Sequence, residues 1–258
     1  MEKLDWENSI WYGDERFEIG HSDDFAMIGV GMTILMAAYS GNRTDVAIIS
    51  DRRASSIAIG RATDVPSNES TYKTLRLGPW VAIGFCGAVP LSNRILACLL
   101  GRKEPDMGLD LLSQLVEEED NFDYGFCNVV DELGKVVEMA ITTAAPPAGI
   151  QTAAIIVGFD GERPAIAELN ADTKWKAQTR WDNFPWCKPG GMTSDADRKK
   201  LVKYVSRPGL DYIASLKAAV GFCADRYKSV NHYYVLRRLR TGFAREEGSV
   251  PRGASLGS

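Results

Sequence analysis

Four residues could do chemistry together: Thr33, Asp51, Lys73 and Gly87. A threonine hydroxyl is a poor nucleophile unless a base takes its proton. When the threonine heads a chain, its own α-amine, with a pKa near ~8, is a usable base at neutral pH. A lysine beside that amine favours its neutral form and stabilises developing oxyanion charge. A carboxylate holds such a lysine in place. A glycine N–H can donate to the oxyanion of a tetrahedral intermediate. Taken singly, each residue has an ordinary explanation: a threonine at a strand start, a charged residue at a strand end, a solvated lysine, a glycine in a turn.

The elements that must position them read clearly near the start. ILMAAY (34–39) and VAIIS (46–50) are strand-like runs joined by the polar turn SGNRTD, and the second run delivers Asp51, Arg52 and Arg53. KTLRL (73–77) and WVAIGFC (80–86) form a second hairpin, turning at Gly78–Pro79, and lead into Gly87. Pro90 suits the first turn of a helix over 90–100, where Leu91, Ile95 and Leu99 share a face. Residues 107–120 read as a second helix. Strand pairs follow: FCNVVDE and KVVEMAITT flanking a Leu–Gly turn, then TAAIIVGFD, AIAELN and KWKAQTRW. Helices are expected over 194–205 and 210–227, the latter with Leu210, Ile213, Leu216, Val220 and Cys223 at helical spacing. HYYVLRRL reads as a closing strand, and the Gly- and Ser-rich end as a mobile tail. Strands and helices come in segregated runs, which predicts an α+β fold of two sheets packed face to face with helix pairs outside.

Composition sets bounds. With 45% hydrophobic and 25% charged residues, the 258-residue chain can bury a sizeable core. A net charge of −4 gives no reason to expect nucleic acid or an anionic membrane, and no apolar stretch is long enough to span a bilayer. The basic run VLRRLR (235–240) reads as a solvated face. The five cysteines include no CxxC pair and read as reduced core thiols of a cytoplasmic protein. Two histidines, His21 and His232, are poor material for a zinc site or a histidine-based triad, so no metal or cofactor is expected.

Together the four residues resemble the β-type subunits of the proteasome and their bacterial relatives, which are N-terminal-nucleophile hydrolases. In that family a threonine opens the first strand, the second strand ends in Asp-x-Arg-Ala, a lysine precedes the third, and the fourth runs into an essential glycine. Here these read Thr33, Asp51-Arg52-Arg53-Ala54, Lys73 and GFCGAV with Gly87, the last two 14 residues apart as in the family. IIVGFDGERPAIAEL and the final helix and strand are similar in a general way. The resemblance implies a four-layer αββα sandwich and a threonine peptidase with Thr33, Asp51, Lys73 and Gly87 as its catalytic set. It implies Asp225 and, with a one-residue shift, Ser229 as further catalytic residues. Phe85 and Ala54 would line the substrate pocket and Arg53 would give structural support. Peptide or unfolded-protein substrates, a homo-oligomeric ring and an ATPase unfoldase partner are implied as well. Two alternatives share the fold: an inactive structural subunit and an amidase acting on small acyl amides.

The chain departs from the family in three places. The Thr33–Asp51 interval of 18 and the Asp51–Lys73 interval of 22 are both longer than usual. The Gly-Ser-Gly-like segment reads CKPGGMTSD, where Thr193 or Ser194 would need an offset. Thr33 also follows Met32, whereas family propeptides usually end in glycine. Either residues 1–32 are a removed propeptide, or translation starts at Met32. The expected organisation is residues 1–32 upstream, a hydrolase domain over 33–242 and a flexible tail over 243–258.

Overall fold

The computed structural model describes residues 9–12, 15–18, 34–58, 61–68, 73–77, 80–87, 95, 125–144, 152–176, 178–180, 187–190, 194–227, 229–239, 243–253 and 256. Thr33, Thr193, the Gly78–Pro79 turn, the helix expected over 107–120 and all but Ile95 of the helix expected over 90–100 lie outside them.

Two five-stranded sheets dominate, and every strand pair in them is antiparallel. Upstream, β1 (Ser9–Tyr12) and β2 (Glu15–Glu18) pair as a hairpin. The expected first hairpin is β3 (Leu35–Tyr39) and β4 (Val46–Asp51), with Leu35 opposite Ser50. The long interval before Lys73 is occupied by a two-stranded ribbon, β5 (Ala54–Ala58) with β6 (Arg61–Asn68). The second hairpin is β7 (Thr74–Arg76) and β8 (Val81–Gly87). After helix α1 (Phe126–Ala144) come β9 (Thr152–Asp160), β10 (Arg163–Asn170), a single 3-10 turn (Ala171–Thr173), β11 (Gln178–Arg180) and β12 (Cys187–Gly190). Helices α2 (Asp195–Val205) and α3 (Tyr212–Arg226) precede β13 (Tyr233–Leu239) and β14 (Phe243–Ser249). One sheet runs β11-β10-β9-β8-β7, the other β12-β3-β4-β13-β14.

The alternation of strand side chains distributes the core. Ile34, Met36, Ala38, Ala47, Ile49 and Leu236 face one way and pack with α2 and α3 through Leu201, Leu216 and Val220. Leu35, Ala37, Ile48 and Leu239 face the other way, meeting Ala82, Ile155, Val157 and Ile166 of the first sheet. The remaining face of the first sheet, with Ile83, Phe85, Ile156 and Ala167, packs against α1. Ile95 is buried in this last cluster. At Gly84 the sheets come so close that a Cβ would sit 2.5 Å from Leu35 Cδ1 and 2.8 Å from Ile48 Cδ1.

Four expectations are revised. FCNVVDE and KVVEMAITT are one helix rather than two strands, because the apolar positions Phe126, Val129, Val130, Leu133, Val137 and Ala140 recur at helical spacing and are all buried. Gly134, read as a turn, sits mid-helix where a Cβ would lie 2.4 Å from the Trp175 carbonyl oxygen, so it permits close packing. Leu210 is exposed and lies before α3, whose N-cap is Asp211, with a carboxylate that accepts the Ile213 N–H at 2.9 Å. The expected tail starts with a strand: β14 pairs residue for residue with β13, and Val250 and Leu256 are buried against the helices.

The run VLRRLR is not a solvated face either. Arg237 is fully buried, with Nε donating to Thr74 Oγ1 at 2.9 Å and Nη2 to the Thr74 carbonyl at 2.6 Å. Arg238 pairs with buried Asp45, which also accepts the Tyr212 hydroxyl at 2.8 Å. Among the described residues no helix is long and apolar enough to cross a membrane.

Candidate active site

Asp51 ends β4 and is fully buried. A carboxylate there is sustained by three donors: Lys73 Nζ at 2.8 Å and the Ile34 N–H at 3.1 Å on Oδ1, and the Arg53 N–H at 3.0 Å on Oδ2. Charge-assisted bonds of this kind are the strong ones. Ile34 directly follows Thr33 in the chain, so Asp51 clamps the backbone next to the expected nucleophile while holding the expected lysine. The Asp51 N–H returns a bond to the Ile34 carbonyl at 3.3 Å.

Lys73 immediately precedes β7 and is 7% exposed as a residue. Its carbonyl accepts the Phe85 N–H at 2.8 Å, which fixes the start of β7 against β8. Arg237 grips the next residue, Thr74, from the opposite sheet. The lysine is thus anchored by its own backbone, by its neighbour and by its carboxylate.

Burial dominates the electrostatics of the pair. It pulls the Lys73 ammonium below its ordinary range, with Asp51 opposing. It pushes the Asp51 carboxyl up, with Lys73 and the main-chain N–H donors opposing. Burial therefore works against the charged lysine that the sequence reading requires, and Asp51 works for it.

Gly87, the last residue of β8, pairs with Thr152 and has φ of 104°. This conformation is strained for any residue with a Cβ, which accounts for glycine. Arg53 touches Asp51 through its main-chain N–H, which donates to Oδ2 at 3.0 Å. Phe85 is buried in the cluster under α1, and Ala54 opens β5.

Asp225 accepts the Gly253 N–H at 2.8 Å and lies 3.3 Å from His232 Nε2. Ser229 is buried, and its hydroxyl has no hydrogen-bond partner among the described residues. Ser194 caps α2, its hydroxyl oxygen accepting the Asp197 N–H at 3.3 Å. Cys223 faces the same region from α3, but burial first, and then Asp197 and Asp51, push its thiol up to about 12. It is therefore a core thiol, not a thiolate nucleophile.

Sequence reasoning missed Arg237 and Thr152. Arg237 was findable: on a strand it shares a face with Val235 and Leu239, so the period of two points it inward. Thr152 left only a weak signal, one hydroxyl at the head of an apolar strand.

No protein-family model and no curated protein sequence matches this chain. Solved structures do match, and they relate the fold, coarsely, to that of proteasome-like proteins. One is a Gly-1 mutant of Anbu from Hyphomicrobium sp. strain MC1, superposing with a TM-score of 0.62 at 14% sequence identity over 86% of this chain and 89% of that chain. At this identity the likeness is one of fold.

Proposed function

We propose that this chain is a threonine-type peptidase of the N-terminal-nucleophile kind, an αββα sandwich of four layers with Thr33 as nucleophile once it heads the chain. The observation that carries the proposal is the buried Lys73–Asp51 pair, whose carboxylate also binds the amide of the residue after Thr33. A buried ion pair is costly to maintain, and a perturbed lysine beside a strand opening points to a site rather than to a structural need.

In this reading the Thr33 α-amine takes the hydroxyl proton as Oγ1 bonds to the scissile carbonyl carbon. The carbonyl electrons move onto oxygen, and the oxyanion accepts the Gly87 N–H. Collapse of the intermediate breaks the C–N bond, and the leaving amine departs with the proton. Water then attacks the ester, the α-amine again acting as base, releasing the acid and restoring the threonine. Lys73 supplies positive charge beside the amine, and Asp51 keeps that charge in place. The proposal extends to self-assembly in a ring in the cytoplasm, served by an ATPase, with Phe85 and Ala54 shaping the pocket.

The test compares a chain starting at Thr33 with its Thr33→Ala variant on fluorogenic peptides. The expected result is a loss of at least ~10³-fold in kcat. An alanine variant as active as the parent would overturn the proposal. Turnover of small acyl amides but not peptides would assign the same machinery to an amidase.

A further inference from the structure

The peptide unit between Cys86 and Gly87 has two ends. Its N–H belongs to Gly87, the donor proposed for the oxyanion. Its carbonyl, on Cys86, accepts a hydrogen bond from Thr152 Oγ1 at 2.9 Å. Thr152 is the first residue of β9, stands opposite Gly87, and is 4% exposed. A second tie lies alongside, where Cys86 Sγ donates to the Ala153 carbonyl at 3.6 Å.

The geometry points to Thr152 as a positioning residue for the oxyanion donor. This rests on the peptidase reading for its catalytic consequence, but not for its structural one. A peptide plane can swing by opposed rotation about the Cys86 ψ and the Gly87 φ, and glycine offers little steric resistance to that motion. At φ of 104° the Gly87 N–H direction needs an external hold. The pairing of Cys86 with Ala153 across β8 and β9 gives part of that hold, and the Thr152 hydroxyl adds to it by gripping the carbonyl end of the same plane. Because a peptide accepting at its carbonyl is polarised toward donation at its N–H, the bond also strengthens the donor. Such preorganisation is what an oxyanion site requires, since no reorientation is then needed as charge develops.

Two variants separate this role from packing. Thr152→Val keeps the shape and loses the hydroxyl, whereas Thr152→Ser keeps the hydroxyl and loses the methyl. Each is measured for kcat and KM on a peptide that the parent cleaves. Each is also measured by nuclear magnetic resonance with carbonyl-13C cysteine and 15N glycine. Cys86–Gly87 is the sole Cys–Gly dipeptide in the sequence, so this labelling isolates one correlation, across the peptide bond in question.

The valine variant is expected to lose about three- to tenfold in kcat, the range for one neutral hydrogen bond, with KM within about twofold. Its Cys86–Gly87 correlation should move in both nuclei. The serine variant should keep both the kcat and the correlation close to those of the parent. A valine variant with parental kcat and an unmoved correlation overturns the inference, as does an equal loss in both variants. If parent and variants alike cleave nothing, the peptidase reading fails, and the correlation alone then decides whether Thr152 holds this peptide.

Discussion

Asp51→Asn should be among the most destabilising single substitutions in the second sheet. Lys73 Nζ lies 2.8 Å from Asp51 Oδ1, with side chains 5% and 0% exposed. At an effective dielectric constant of ~20, this separation gives an attraction of about 6 kcal/mol before desolvation is subtracted. Removing one partner strands the other as an uncompensated buried charge, at a cost of about 3–5 kcal/mol. Lys73→Met should cost less, about 2 kcal/mol, because Asp51 keeps the Ile34 and Arg53 N–H donors. The double variant buries no charge, so its cost should fall short of the sum by about 2–3 kcal/mol. Urea unfolding of the four proteins measures this coupling. A pH series adds a signature. Burial already holds Lys73 below 10.5, and loss of Asp51 lowers it further. The unfolded chain then binds more protons than the folded one between the folded Lys73 pKa and 10.5, so stability rises with pH across that window. The deficit of Asp51→Asn against the parent should therefore shrink from pH 7 toward pH 10. Additive costs together with a pH-independent deficit would refute the reasoning.

Gly84→Ala should destabilise by about 1–3 kcal/mol, since its Cβ meets Leu35 and Ile48 across the sheet interface; Ile48→Val should relieve part of this in thermal unfolding. Gly87→Ala should lower kcat more than KM, because φ of 104° is strained for alanine and relaxation would turn the N–H away; steady-state kinetics on the peptide substrate checks it. Tyr212→Phe should cost about 1 kcal/mol and raise the acid-unfolding midpoint. Burial pushes Asp45 up, but its bonds with Ser40, Tyr212 and Arg238 outweigh that and hold its folded pKa below 3.8. Its contribution is therefore present above 3.8 and lost as pH falls through the folded value, and removing the Tyr212 donor raises that value.

How much was legible in the sequence depended on periodicity. The Asp51–Lys73 pair was readable because two clean hairpins deliver those residues, and ILMAAY and VAIIS are short, nearly unbroken apolar runs of the kind that strands buried on both faces leave. The helix over Phe126–Ala144 was not. Paired valines at 129–130 and 136–137 imitate strands, and Gly134 imitates a turn when it is in fact a contact point beneath Trp175. The ribbon of β5 and β6 fills the long interval between Asp51 and Lys73. Arg237 was misjudged because a run of arginines looks solvated until each is assigned to a face. Thr152 depends on a cross-strand partner, and no local pattern announces a side chain whose value lies in the peptide it touches.

The central claim is that Thr33 carries both the hydroxyl and its base. Intact mass and N-terminal sequencing of the protein purified from its native host test it most directly. A chain that begins at Thr33, with its α-amine free, is the expected result. A chain that retains Met32 or any residue before it would block that amine and contradict the account.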